Sequence, residues 1–244
     1  MFLSEIFEST TPKHASFCFG RMNPPTLGHG QLFNTVAKAA QGGDYFIFVS
    51  QTQDKKKNPL DYATKIKFIN ALFPDQADHV VYDPEIKTIM NVIHWLYEQG
   101  YRSITMVAGS DRISSFQELL PKYNGVEGTN GAYYKFDTID FASSGERDPD
   151  ADGIAGISAS GAREAAVNGD INAFAQATGA GKLAQPLYQA VRKGMLLADP
   201  ELAECSGYIP KNKKEAKDPR WSNSLTVDIK PGAINKNLKA FRLI

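Results

Sequence analysis

Gly20-Arg-Met-Asn-Pro-Pro-Thr-Leu-Gly-His29 separates an apolar run from a helical pattern, and this junction identifies the class of fold. The apolar run at 15–19 is compact and predicts a buried strand. After the junction, apolar residues recur at helical spacing to about residue 40. Adjacent prolines cannot lie inside a helix. The junction is therefore predicted to be the turn between a first strand and a first helix.

This turn has the features of a phosphate-binding loop. Gly20 lets a ligand approach the backbone, and Arg21 offers a planar guanidinium to a phosphate. Gly28 and His29 open the helix, where free N–H groups and the positive end of the helix dipole attract an anion. His29 can also donate to a phosphoryl oxygen. We expect a phosphate-bearing ligand at the start of this helix.

Strands and helices alternate along the rest of the domain. Further strands are predicted at 44–50, 79–82, 103–108 and around 133–139, and further helices at 61–72, 89–99, 114–120, 161–168 and 186–198. Such alternation predicts a doubly wound, Rossmann-like α/β fold, with a parallel sheet covered by helices on both faces. Right-handed crossovers bring the loops at 20–28, 50–59 and 109–112 to one edge of that sheet, where ligands bind.

The composition excludes several classes of protein. The 244 residues contain 27 Lys plus Arg and 27 Asp plus Glu, so a strongly basic nucleic-acid-binding protein is not expected. Two cysteines are too few for a disulfide framework. No apolar run is long enough for a membrane span, and no secretory signal is recognisable. A soluble cytoplasmic protein is expected.

The chain is expected to have three parts: a leader at 1–14, an α/β domain at 15–200, and an extended tail at 201–244. The tail either folds back on the body or docks on a protein partner, and homo-oligomers are a further expectation. The acidic segment 148–153 imitates the first half of an EF-hand loop. Ala159 stands where such a loop requires a bidentate glutamate, so the segment is interpreted as a polar loop without a metal site.

Thr26-Leu-Gly-His29 resembles the (H/T)xGH signature of the nucleotidylyltransferase superfamily, in its threonine form. The longer string from Gly20 to His29 resembles the archaeal type of nicotinamide-mononucleotide adenylyltransferase. The resemblance covers roughly residues 15–175. It implies transfer of AMP from ATP to a phosphate-bearing acceptor, most simply nicotinamide mononucleotide, with release of pyrophosphate and formation of NAD.

A second segment supports this resemblance. Ile157-Ser-Ala-Ser-Gly-Ala-Arg163 resembles the family signature ISSTxxR, although Ala159 and Ser160 depart from it. The resemblance implies that Ile157, Ser158 and Ser160 bind the nucleotide. Arg163 would bind the β- and γ-phosphates.

Three weaker resemblances complete the predicted site. Lys57 and Asn58 resemble part of the archaeal loop after strand two, and they are predicted to bind the acceptor or a phosphate. Gly109 and Asp111 resemble the Gly-x-Asp turn near the nucleotide. Trp95 is a candidate for the aromatic side chain that stacks on nicotinamide, and a core tryptophan is the alternative.

The implied mechanism needs no general base, because the attacking phosphate oxygen is already an anion. Catalysis is then positioning and charge neutralisation around an in-line displacement. His29 and Thr26 would contact the α- and β-phosphates, and Arg163 the leaving pyrophosphate. Mg²⁺ would bridge the triphosphate, held by substrate oxygens and water rather than by the protein. The remaining predicted contacts to the nucleotide and its phosphates are Phe19, Gly20, Arg21, Met22 and Gly28.

The sequence leaves two alternatives open. The first is another substrate pair, with CTP as donor or with phosphopantetheine, FMN or a choline-like phosphate as acceptor. The second arises because the chain also resembles nucleotidylyltransferase-like proteins of tailed bacteriophages. A phage protein of this kind can act as a nucleotide-binding or virion-associated module that kept the fold.

Overall fold

The computed structural model describes residues 12–128, 132–145 and 158–197. Within them lie five strands: β1 His14–Gly20, β2 Asp44–Val49, β3 Val80–Val81, β4 Ser103–Ala108 and β5 Thr138–Ser143. The α-helices are α1 Leu27–Ala39, α2 Tyr62–Leu72, α3 Ile89–Glu98, α4 Ser110–Lys122, α5 Ala159–Asn168, α6 Ile171–Thr178 and α7 Ala184–Gly194. Short 3-10 helices lie at Pro74–His79 and Gly181–Leu183.

The strands form one parallel sheet in the order β3-β2-β1-β4-β5. The chain builds the sheet outward from β1 to β3, then returns to the other side of β1 to add β4 and β5. The order therefore reverses between β1 and β4, and in such sheets a crevice opens at the carboxyl ends of these two strands. The predicted Rossmann-like fold is confirmed.

Alternate residues of the central strands enter different hydrophobic clusters, which explains why the sheet is buried on both faces. Phe17 and Phe48 belong to a cluster that includes Leu96 of α3. Their neighbours Cys18 and Ile47 belong to another cluster, with apolar residues of α1 and α2. The prediction that helices cover both faces is therefore also confirmed.

A third cluster joins the helices α5, α6 and α7 to the segment that follows β2. Ala162, Phe174 and Leu187 of these helices are fully buried, and Leu60 and Phe68 belong to the same cluster. The alanines of α5 leave room for its neighbours to pack closely. As a result, the helix that carries Arg163 is held near the loop that carries Lys57 and Asn58.

Two predicted elements are displaced, and one helix was not predicted. The last strand is at Thr138–Ser143 rather than around 133–139, because the side chain of Asn124 binds both backbone groups of Phe136 and keeps that residue out of the ladder. Helix α4 begins at Ser110, four residues before the prediction. Helix α6 was not predicted, although Asp170 caps its start and Gly179 ends it.

Several predicted features lie outside the described residues. They are most of the leader, the acidic segment 148–153, Ile157 and the tail at 201–244. In the part of the chain that is described, no helix has the length and apolar character to cross a membrane.

Candidate active site

A cavity opens at the carboxyl edge of the sheet, where the strand order reverses. The turn after β1, the start of α1, the loop after β2, the turn after β4 and the start of α5 all contribute to its walls. Most of the predicted site residues line it: Phe19, Gly20, Arg21, Met22, Thr26, Gly28, His29, Lys57, Asn58, Gly109, Asp111, Ser160 and Arg163. The structure thus brings together residues from four separate parts of the sequence.

His29 is buried in the first turn of α1 and forms part of its N-terminal cap. Its Nδ1 accepts the backbone N–H of Thr26 at 3.0 Å and lies 2.9 Å from the Thr26 hydroxyl oxygen. His29 therefore takes the place that Glu or Gln has in an ordinary capping box. Because Nδ1 is an acceptor, the neutral imidazole carries its proton on Nε2. The cap thereby selects the tautomer and orients the ring.

Arg163 lies on α5 and reaches back to the first motif. Its Nη1 donates to the carbonyl oxygen of Asn23 at 2.7 Å, and its Nη2 donates to the Ser160 hydroxyl at 3.1 Å. Burial and, to a lesser degree, the charge of Arg21 lower the pKa of the Arg163 guanidinium, whereas the carboxylate of Asp54 opposes that shift. The lining of the cavity thus contains two arginines, Arg21 and Arg163, whose like charges interact.

Asn23, inside the first motif, is buried and connects two loops. Its Nδ2 donates to the carbonyl oxygen of Leu60, and its Oδ1 accepts the N–H of the same residue, both at 3.0 Å. A primary amide can satisfy both backbone groups of one residue at once. The turn after β1 is therefore fixed to the segment that follows Asn58.

The lysine-bearing loop after β2 is organised by Asp54. One carboxylate oxygen accepts the backbone N–H groups of Lys56 at 2.9 Å and Lys57 at 2.6 Å, and the other accepts Nδ2 of Asn58 at 2.5 Å. These hydrogen bonds, that of Lys57 first, lower the pKa of Asp54 to about 2. One N–H of the Asn58 amide is engaged here, so at most one N–H of that group remains for a phosphate.

Lys65 of α2 is a fully buried cation beside this region. Its ammonium donates to the carbonyl oxygen of Ser50, the residue that follows β2, and the N–H of Ser50 donates to the Gly20 carbonyl at 2.8 Å. Burial lowers the pKa of Lys65 to about 8. The side chain thus ties α2 to the carboxyl ends of β1 and β2.

In the turn after β4, Gly109 lies close to the side chain of Asp111. A Cβ placed on Gly109 would lie 2.8 Å from Oδ1 of Asp111, so the missing side chain makes room for that carboxylate beside the start of α4. Asp111 lines the cavity and is exposed. It is therefore available to accept a hydrogen bond from a ligand hydroxyl.

Two predicted residues are not cavity-lining. Trp95 packs edge-on against Phe46 and Phe48 in the core, at ring distances of 5.2 and 5.5 Å, so the core interpretation replaces the stacking one. Ser158 caps α5 by accepting the N–H of Gly161 at 3.0 Å, and it is not among the residues that line the cavity.

Sequence reasoning missed several lining residues: Asn23, Gln31, Leu32, Val107, Ala108, Arg112, Ser144, Gly145 and Ala159. Asn23 could have been predicted, since it lies inside the first motif. Arg112 directly follows a predicted turn, but nothing in the sequence indicates that it faces the cavity.

The charge of the cavity differs from that of the chain. Among its described lining residues, four are Lys or Arg and one is acidic: Arg21, Lys57, Arg112 and Arg163 against Asp111. The whole chain has a net charge of zero. A positively charged cleft in a neutral protein is suited to a polyanionic ligand. The described residues contain no group of three His, Cys, Asp or Glu side chains placed to hold a metal ion.

Known proteins offer few comparisons. No curated protein matches the chain. A solved structure described as a nicotinate-nucleotide adenylyltransferase from Vibrio parahaemolyticus is similar at 18% identity with a TM-score of 0.43, over 71% of this chain and 99% of that one. The family model described as cytidylyltransferase-like matches residues 17–143, more than half of the chain. The chain therefore belongs to the cytidylyltransferase-like family of nucleotidyltransferases.

Proposed function

We propose that this protein transfers AMP from ATP to nicotinamide mononucleotide, with release of pyrophosphate. The observation that carries the proposal is the hydrogen bond from Arg163 to the Asn23 carbonyl, which joins the second signature to the first. The two segments lie 140 positions apart in the sequence, yet they meet beside the N-terminus of α1. Such an arrangement is suited to a triphosphate.

Each lining group has a distinct task in this reaction. The N–H groups at the start of α1 and the Nε2–H of His29 would stabilise charge on the α- and β-phosphates. Arg163, Arg21 and Lys57 would neutralise the leaving pyrophosphate. The acceptor attacks with a phosphate oxygen that is already ionised, so no group has to remove a proton. The protein supplies alignment and a preorganised positive potential.

Mg²⁺ fits this site as part of a metal–nucleotide complex rather than as a resident ion. Asp111 is the one carboxylate among the described lining residues, and Mg²⁺ usually keeps several water ligands and binds through substrate phosphates. When bound, the ion would withdraw charge from the phosphate oxygens. Arg163 and Lys57 remain the groups that hold the far end of the triphosphate.

The orientation of the bound nucleotide follows from the order in which the ends of the strands line the cavity. Lys57 follows β2, Arg21 follows β1, Asp111 follows β4 and Ser144 follows β5, and adjacent strands are about 4.8 Å apart. Arg21, Arg163 and Lys57 lie towards β1 and β2, while Asp111, Ser144 and a single arginine, Arg112, lie towards β4 and β5. We infer that the phosphates occupy the first end and the ribose the second.

The choice of acceptor rests on the string from Gly20 to His29, which resembles the archaeal nicotinamide-mononucleotide enzymes. The same threonine form of the motif occurs with other acceptors, and the family description refers to cytidylyl transfer. CTP and other phosphate-bearing acceptors are therefore included in the test.

The test is pyrophosphate release by the purified full-length chain with Mg²⁺, either ATP or CTP, and a panel of acceptors. We expect release with ATP and nicotinamide mononucleotide, together with formation of NAD. His29→Ala is the control for a contaminating activity, because it should remove turnover and leave the fold. Release with another pair would keep the reaction type and replace the substrates. Nucleotide binding without release of pyrophosphate for any substrate pair would favour the alternative of a nucleotide-binding or virion-associated phage module.

A further inference from the structure

We infer that Asn23 is a positioning residue of this site. Asn23 holds Arg163 where the guanidinium of Arg163 binds the pyrophosphate end of the nucleotide. The inference rests on the proposed function and deepens it. Asn23 lines the cavity, but its side-chain amide and its carbonyl oxygen are already bound to Leu60 and Arg163. It would act through Arg163, whose guanidinium its carbonyl oxygen accepts.

Asn23 makes contacts to two different segments with different groups. Its side-chain amide binds Leu60 through both the N–H and the carbonyl, and its own carbonyl oxygen accepts Nη1 of Arg163. The residue is 1% exposed, so water does not compete for these hydrogen bonds. The turn after β1, the loop after β2 and helix α5 therefore meet at one residue.

The amide pair determines where the Asn23 carbonyl points. Because Leu60 is held through both of its backbone groups, the side chain of Asn23 cannot rotate without losing two buried hydrogen bonds. The backbone of Asn23 is thereby fixed relative to the segment at 58–60. A fixed carbonyl oxygen is a defined acceptor for an arginine that comes from a distant helix.

Arg163 needs such an acceptor because its surroundings oppose its charge. The guanidinium is half-buried and lies near the like charge of Arg21. The Asn23 carbonyl, with the Ser160 hydroxyl, offsets part of that cost and keeps the guanidinium in one orientation before a ligand arrives. An arginine that is already oriented loses less entropy when it binds a phosphate.

A double-mutant cycle on binding tests this role. Inorganic pyrophosphate with Mg²⁺ is the probe, because its affinity depends neither on the nucleobase nor on the acceptor. The variants are Asn23→Ala, Arg163→Ala and the double variant, with dissociation constants measured by calorimetry. We expect Asn23→Ala to weaken binding about tenfold in the native background and less than twofold in the Arg163→Ala background.

Asn124 offers a matched control. Its side chain makes the same pair of hydrogen bonds to both backbone groups of Phe136, at 2.8 and 2.9 Å, and Asn124 does not line the cavity. Asn124→Ala should therefore lower the melting temperature without changing the affinity for pyrophosphate. If Asn23→Ala does not fold, Asn23→Ser replaces it in the cycle, because a serine hydroxyl is too short to make both bonds to Leu60.

The outcomes are distinguishable. An equal loss of affinity in both backgrounds would overturn the inference, since Asn23 would then not act through Arg163. An equal loss for Asn124→Ala would overturn it as well, because general loosening of the fold would explain the effect. A native chain that binds neither pyrophosphate nor any nucleoside triphosphate would instead overturn the proposed function, and the inference with it.

Discussion

Gly194, at the end of α7, lies directly against the backbone of Pro59: a Cβ on Gly194 would be 2.0 Å from the Pro59 carbonyl oxygen. Pro59 follows Asn58, which lines the cavity. The last described helix therefore supports the loop that carries Lys57. The absence of a side chain at Gly194 is what permits this contact.

We expect Gly194→Ala to displace that loop, because backbone atoms cannot yield as a flexible side chain can. The free energy of unfolding of the variant should be lower by about 1–3 kcal/mol, and the variant should bind the nucleotide less tightly. Urea unfolding and nucleotide affinity are the measurements. Lys193→Ala, at the adjacent exposed position of the same helix, is the control and should change neither. Native affinity in Gly194→Ala would contradict the proposed support.

Replacement of His29 should separate its two roles. His29→Ala loses both the cap on Thr26 and the Nε2–H, so turnover should fall about 10²–10³-fold and the melting temperature should decrease. His29→Gln can keep the cap, because glutamine is an ordinary partner in a capping box. Its melting temperature should return towards the native value while turnover stays low. Native turnover in His29→Ala would refute the assignment of this site.

Asp54 should control nucleotide binding through the shape of its loop. Asp54→Ala removes the acceptor for the N–H groups of Lys56 and Lys57 and for the amide of Asn58, so the KM for the nucleotide should rise several-fold. Steady-state kinetics measure this change, and Glu85→Ala controls for the loss of one exposed negative charge. With a pKa of about 2, the native Asp54 stays ionised at any practical assay pH, so it adds no step to the pH profile.

Lys65 should give the native protein a measurable dependence of stability on alkaline pH. Burial lowers its pKa from 10.5 to about 8, so between these values the unfolded chain binds more protons than the folded one. The free energy of unfolding therefore rises with pH between these two values, by at most about 1.4 kcal/mol per pH unit from this group. Urea unfolding of the native chain and of Lys65→Met at several pH values isolates the effect. Parallel stability curves for the two proteins would contradict it.

Trp95 should affect stability and not substrate binding. Trp95→Phe keeps an aromatic ring against Phe46 and Phe48 and should leave the KM for the acceptor within about twofold of the native value. Trp95→Ala should destabilise the fold by about 3–5 kcal/mol. A selective rise of the acceptor KM in Trp95→Phe, at an unchanged melting temperature, would restore the stacking interpretation.

The α/β class and most of the site were predictable because they depend on short-range patterns. A strand, a proline-containing turn and a helix that opens with Gly28 and His29 are visible within one segment. The lysine loop then follows from the rule that strand ends in a parallel sheet meet at one edge. Arg163 was predicted only from the resemblance of residues 157–163 to the second family signature. The strand order could not be obtained in this way, since pairing between β1 and β4 joins residues about ninety positions apart.

The misplaced elements have physical causes that local patterns do not contain. The aromatic run at 133–136 is as apolar as a strand, but its partner is the side chain of Asn124 rather than β4. Trp95 and Ser158 have the residue types of ligand contacts, and their orientation depends on tertiary packing. The contacts of Asn23 to Leu60 and Arg163 connect distant segments, and a single sequence carries no record of them.

The hydrogen bond between Arg163 and Asn23 can form only late in the synthesis of the chain, because Arg163 is made 140 residues after Asn23. The ribosome synthesises the N-terminal residues first. The described sheet is complete in the sequence at Ser143, the last residue of β5. The growing chain therefore exposes the residues of its sheet before those of α5. If the proposed function is right, affinity for a polyanion would be acquired late, when Arg163 emerges, and a translation product that ends before α5 would have all five strands but lack the contact between Arg163 and Asn23.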